Sequence, residues 1–184
     1  MPPRQRRAKG VWQDDPMLDF GIEGYQPVWL DRRSDVVREH GQRLSGLAGR
    51  TLTRVWMVWD MQDDEWFSDC PVLFDFGGEQ VEVNHQKLDE LSVTWNTIDT
   101  RRPVHWPGFR LQWRPEALPE VHALRGLSLK EVELLEWTGA DVPRGNIDVS
   151  FVFEEKRATV FNALDENGLS FNPPERRQRS RPFH

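Results

Sequence analysis

At 184 residues, with 38% hydrophobic and 29% charged side chains and nine tryptophans, the chain has the length and composition of one sizeable globular domain rather than a disordered polymer. No apolar run approaches the roughly 18 residues a membrane-spanning helix needs, so no membrane is expected as a partner. The net charge of -6 is unevenly spread: residues 1–10 and 175–184 hold eight basic side chains and one acid, which leaves residues 11–174 with a formal charge of -13. A field of that sign attracts a basic partner and repels nucleic acid, and at minimum keeps a protein soluble.

Residues 1–12 are rich in Pro and Arg without periodicity and read as a disordered basic arm, able to touch phosphate only weakly. The arm has charge without the apolar stretch of a secretory signal, so the expected compartment is the cytoplasm. Between Trp12 and Arg33 the chain is punctuated by Pro16, Gly21, Gly24 and Pro27, and reads as an extended loop whose Trp12, Phe20, Tyr25 and Trp29 pack across the body. Ser34 as N-cap and Asp35 in the first turn open a predicted helix with Val37, His40, Leu44 and Leu47 on one face and Gly49 as its stop.

The stretch Thr51–Asn96 reads as an antiparallel unit. Gly77-Gly78 supplies the positive φ of a tight hairpin turn, which sets Val72 opposite Val83 and Phe74 opposite Val81. These four then share one face, and Leu73, Asp75, Gln80 and Glu82 the other. A connector follows over 97–115, where FRLQW alternates like a further strand. PEALPEVHALRG then predicts a shorter helix ending at Gly126, and strand-like runs continue to Phe171.

A shift of roughly 77 positions lays Leu47, Gly49, Leu52, Val55, Met57, Phe74, Phe76 and Val83 onto Leu124, Gly126, Leu129, Val132, Leu134, Phe151, Phe153 and Val160. Leu88-Asp89-Glu90 falls on Leu164-Asp165-Glu166 with a one-residue slip. The reading is two diverged copies packed as one domain, since two repeats are too few for a solenoid.

Three constellations carry possible chemistry. WDMQDDEWFSDC places Asp60, Asp63, Asp64, Glu65 and Asp69 beside Trp59, Trp66 and Phe67, the mixture of charge and aromatic anchors that protein-binding surfaces favour. A calcium loop is not matched, because Glu65 and Pro71 stand where glycine and the closing glutamate are required, and no metal or other cofactor is expected. His85, Asp89, Asp165 and Glu166 form an alternative site, in which carboxylates from equivalent loops would face each other across a pocket between the halves and serve as acid and base. The plainer role for Asp165–Gly168 is a turn, with Asn167-Gly168 in left-handed angles. Cys70 is the lone cysteine, which excludes an internal disulfide or a cysteine-built zinc site; beside His85 it would count as a nucleophile only with a third orienting group, and otherwise it is a small buried hydrophobe.

The segments WDMQDDEWFSDCPVLFDF, EQVEVNHQKLDELSVTWN and FNALDENGL resemble those of small bacterial proteins, and the overall character over about residues 45–172 is similar to the immunity proteins of polymorphic-toxin systems. That resemblance implies a protein that binds a toxin to block it, with no catalytic residues to carry over.

The expected fold is therefore α+β: two pseudo-repeated units, about 34–96 and 116–171, each a helix followed by about four mostly antiparallel strands, packed as one domain over 13–172. A basic Pro/Arg tail covers 173–184. The leading functional expectation is a non-enzymatic, immunity-type protein that neutralises a basic partner through Trp59–Asp69. The alternatives are a ligand-binding protein or hydrolase using His85, Asp89, Asp165 and Glu166, and a nucleic-acid-associated protein using its basic ends.

Overall fold

The computed structural model describes residues 20–138 and 145–174, together with the backbone of 178–181. The basic arm expected over 1–12 lies outside the described residues. The fold is α+β, with two antiparallel sheets and two helices among the described residues.

In the first sheet β1 (Arg54–Asp60) is bonded to β2 (Glu65–Trp66), β3 (Val72–Asp75) and β6 (Leu111–Pro115), and the sheet continues through β4 (Gln80–Gln86) to β5 (Glu90–Trp95). Trp56 pairs with both Leu73 and Pro115, and Trp59 with both Trp66 and Gln112, so β2 and β3 lie end to end along one edge of β1 and β6 runs along the other. The second sheet is ordered β10 (Asn167–Ser170), β9 (Arg157–Asn162), β8 (Ile147–Val152), β7 (Glu131–Trp137), β11 (Gln178–Arg181).

The hairpin register follows the turn chemistry. Gly77 and Gly78 have φ of 70° and 91°, Val72 pairs with Val83, and Phe74 pairs with Val81. Alternation then sends Val72, Phe74, Val81 and Val83 into the core between the sheets, where they meet Val132, Leu134, Val149, Phe151 and Val160 of the second sheet. Phe74 and Phe151 stack with ring centroids 4.2 Å apart. The first sheet is buried on its other face too. Val58, Leu73, Phe67, Cys70 and Trp113 pack there beneath Phe20, Ile22, Tyr25, Ile98 and Val104, so the segment before the helix and the connector together carpet it. Gly21 is needed where these two segments meet: a Cβ there would lie 1.7 Å from the carbonyl oxygen of His105, whose N–H donates to Gly21 O at 2.9 Å.

α1 spans Arg33–Ser45. Its N-cap is Arg32, not Ser34, and no side chain caps it. The helix therefore starts a residue or two before the sequence signal, and it buries Val36, Gly41 and Leu44 while Val37 is only half-buried. Gly46 rather than Gly49 is the C-cap; Gly49, at φ 81°, ends the turn that follows. His40 is half-buried and accepts the Trp95 indole N–H at 3.3 Å. The second helix, α2, is only Pro119–His122; it buries Val121, and Leu124 is buried just beyond it. The region read as a tail contains one further strand, since β11 pairs with β7 from Gln178↔Trp137 to Arg181↔Leu134. Its residues lack hydrophobic alternation because a backbone ladder, not a side-chain stripe, places them there.

Candidate protein-binding surface and neighbouring cleft

The acidic turn is wired from below. β1 ends at Asp60, the chain reverses over 61–64, and β2 returns with Asp60 opposite Glu65 and Trp59 opposite Trp66. The Asp60 carboxylate is buried and accepts the Gln62 N–H at 2.9 Å. Asp64 takes a left-handed φ of 52°, and its carboxylate accepts the Trp59 indole N–H at 2.8 Å. Arg114 lies 4.8 Å above the Trp59 ring and 3.4 Å from the same carboxylate. The indole hydrogen bond, and after it the guanidinium, hold the Asp64 carboxyl below its ordinary range.

Of the residues read as a contact surface, Asp63, Asp64 and Glu65 are exposed, and Trp66 and Asp69 are half-buried. Trp59, Asp60 and Phe67 are buried. Phe67 packs edge-on to Trp106 at 5.1 Å and to the exposed Phe109 at 4.8 Å. Two of the three aromatic residues expected as anchors, Trp59 and Phe67, thus lie beneath the turn. Met61 and Phe109, both more than a third exposed, are the large apolar side chains that face solvent around this turn, and the charge-plus-aromatic pattern of Trp59–Asp69 does not point to either.

The alternative set is brought together only in part. His85 is fully buried: Nε2 lies 3.0 Å from Ile147 O, and Nδ1 lies 3.3 Å from Asn167 Oδ1, which also accepts the His85 backbone N–H at 2.8 Å. Asn167 Nδ2 reaches Ser68 O, Cys70 O and Asn84 Oδ1 at 3.0, 2.9 and 2.7 Å. These acceptors fix the orientation of the carboxamide, and the group fills the gap where β3 would have continued beside β4. Burial, the largest influence, lowers the His85 pKa to about 4. The Cys70 thiol is pushed up, again by burial.

Asp165 Oδ1 accepts the Lys87 N–H at 2.5 Å, and Glu166 accepts the Ser68 hydroxyl at 2.8 Å. Asp89 is exposed on the neighbouring turn. The expected left-handed turn at Asn167-Gly168 is displaced: positive φ falls on Leu164 and Asp165, and Asn167 opens β10. Gly168 is required for space instead, because a Cβ there would lie 2.3 Å from the Phe161 ring.

Glu82, placed by alternation on the outer face of the first sheet, is wholly buried. Its carboxylate accepts the hydroxyls of Thr94 and Thr97, the N–H groups of Thr97 and Ile98 at 2.7 and 2.9 Å, and the Gln80 amide at 2.9 Å. It fastens the start of the connector to the sheet. Nothing local in the sequence marks Glu82 or Asn167, since their partners are distant or of ordinary type.

The connector leaves a cleft of about 600 Å³ beside β1 and β6. Trp56, Met61, Leu111 and Trp113 form apolar walls, and Arg101 and Arg102 stand among the lining residues. Arg101 makes a bidentate pair with Asp99 at 2.9 Å, which holds the Asp99 carboxyl down at about 2, and Arg102 lies 3.3 Å from Glu23. Among the described residues no group of three or more His, Cys, Asp or Glu side chains is placed to hold a metal ion, and no helix is long and apolar enough to cross a membrane. Comparison with protein families, with characterised proteins and with solved structures found no match.

Proposed function

We propose that this chain is a non-enzymatic protein that binds and neutralises a basic protein, in the manner of an immunity protein, through the acidic turn after β1. The observation that carries this reading is the Asp63–Glu65 turn itself. Three carboxylates are exposed on a backbone pinned by Trp59, Asp60 and Arg114, next to exposed Met61 and Phe109. A preorganised surface spends little ordering entropy on association, and the charge of -13 over residues 11–174 steers a cationic partner toward it. By contrast, the polar atoms of His85, Asp165 and Glu166 are committed to holding strands and turns together.

The scaffold reading proposed with it is two diverged copies of one unit. Cross-unit contacts that recur on exchange of residues 77 apart support it. Gly49 N–H donates to Leu129 O and Gly126 N–H to Leu52 O, both at 2.8 Å; Leu52 N–H donates to Leu127 O at 2.9 Å and Leu129 N–H to Arg50 O at 2.8 Å. Thr51 bridges its own counterpart Ser128, Phe74 stacks on its counterpart Phe151, and Lys87 and Leu164 share positive φ. Such reciprocity is the mark of an isologous pairing.

Co-purification from the native host tests the functional reading. The chain should retain a basic protein at moderate salt and release it as salt rises. The variant Asp63→Asn, Asp64→Asn, Glu65→Gln should retain at least tenfold less. Recovery of no basic protein even at low salt, or equal recovery by the variant, would overturn the reading.

A further inference from the structure

We propose that the outer edge of β6, with the cleft beside it, takes up an extended acidic peptide as an added strand. The inference starts from register. Glu116 N–H donates to Val55 O and Met61 N–H to Arg110 O, so the pairs bonded across β1 and β6 are 55/116, 57/114, 59/112 and 61/110. The peptide groups of Leu111 and Trp113 therefore point away from β1. Among the described residues no strand lies along that side of β6. Two N–H donors and the carbonyls of Leu111, Trp113 and Pro115 are left to face a partner, and Pro115, lacking an N–H, closes the row.

The cleft supplies what a bare edge does not. Leu111 and Trp113 turn their side chains to the outer face of the sheet, where they line the cleft with Trp56 and Met61. A strand laid on β6 alternates with a period of two, so one apolar residue enters between the tryptophans while its neighbours point out. The charge of the occupant follows from Arg102. Among the described residues it has one exposed ion pair, with Glu23 at 3.3 Å, the two side chains 59% and 68% exposed, whereas Arg101 stays on Asp99 through its bidentate pair. A single exposed pair contributes little and exchanges readily, so an incoming carboxylate can replace Glu23 on Arg102. The acidic turn attracts a basic protein; this cleft selects an extended segment with apolar residues alternating with Asp or Glu.

The test uses the full chain and synthetic octapeptides that alternate Val or Trp with Glu, with Lys or with Ser, alongside N-acetyltryptophan as a small anion. The Glu series should bind at least tenfold more tightly than the Lys series. Binding should slow hydrogen exchange at the Leu111 and Trp113 amides at least tenfold while leaving Gln112 and Arg114 unchanged. Leu111→Pro removes an outward donor without touching the β1 ladder, and it should abolish peptide binding in a chain whose circular dichroism is unchanged. Arg102→Ser with Glu23→Ser, which removes the exchangeable pair without leaving a lone charge, should erase the preference for Glu over Lys. Equal binding of the three series, binding without protection at Leu111 and Trp113, or N-acetyltryptophan matching the best peptide would each overturn the proposal. Because the acidic turn is untouched, loss of peptide binding here is distinguishable from loss of a basic partner at Asp63–Glu65.

Discussion

At the turn from β1 to β2, carboxylates stand in solvent around one indole-to-carboxylate bond, and the turn is held by what lies beneath it. At the turn from β9 to β10, polar groups point inward: Asn167 threads its amide between β4 and the segment that leads into β3, His85 is buried under it, and Asp165 and Glu166 accept from the Lys87 N–H and the Ser68 hydroxyl. Both regions are acidic loops of similar length in the sequence. They differ in what surrounds them, because the second lies where the two sheets meet and its hydrogen-bonding capacity is spent on the sheets. A loop at an open end keeps its carboxylates in solvent, whereas a loop at a seam becomes part of the seam.

The sharpest way to break that contrast is Asn167→Ala. It strands the His85 N–H, the Cys70 carbonyl and Asn84 Oδ1 in a region without solvent, while Ser68 O keeps the Asn167 backbone N–H. Each buried group left without its partner costs about 1–3 kcal/mol, so the expected loss is on the order of 4 kcal/mol. Urea unfolding should show it as a lower midpoint at unchanged slope. A loss below about 1 kcal/mol would mean that Asn167 is an ornament of the seam rather than its fastening.

Next in size is the response to acid. Asn167 Oδ1 and Ile147 O face the two ring nitrogens of His85, yet burial wins and the folded-state pKa sits at about 4, below the unfolded value. The unfolded chain therefore binds the proton first. The contribution of the neutral ring is fully present above about pH 6.5 and is lost as pH falls from there toward 4. The drop is about 3 kcal/mol. Unfolding free energies of the wild type and His85→Gln, compared between pH 7.5 and 4.5, isolate this contribution from the other groups titrating there; parallel curves would remove His85 from the account.

Much of the scaffold was legible because local chemistry and burial agreed. Gly77-Gly78 set the hairpin register, and the Val72, Phe74, Val81 and Val83 face followed from it. FRLQW alternates like a strand, and β6 begins two residues into it at Leu111. Where the sequence misled, an interaction from far along the chain had intervened. Asn167-Gly168 has turn chemistry, but Asn167 serves strands more than 80 positions away and Gly168 makes room for Phe161. Trp59 and Phe67 look like anchors beside acids, and the carpet of residues 20–30 and 97–109 draws Phe67 inward while Asp64 and Arg114 occupy Trp59. β11 carries no apolar stripe, so only its backbone pairing reveals it.

The smallest expected effect separates charge from scaffold at the acidic turn. Asp64 is held at φ 52°, a conformation that Asn adopts nearly as readily as Asp, and an Asn oxygen can still accept the Trp59 indole N–H. Asp64→Asn should therefore shift Tm by no more than about 2 °C. It should nonetheless weaken salt-dependent association with a basic partner, because a fixed charge at the centre of the surface is gone. Asp64→Ala loses both the charge and the acceptor, leaves the indole N–H to find water, and places a residue without a local hydrogen bond in a left-handed conformation. It should lower Tm further and loosen the turn, visible as faster exchange of the Gln62 amide. If the two variants weaken association equally while only Ala changes exchange, charge is what the partner reads. If only Ala weakens association, the partner reads the shape of the turn, and the acidic field becomes a property of solubility rather than of recognition.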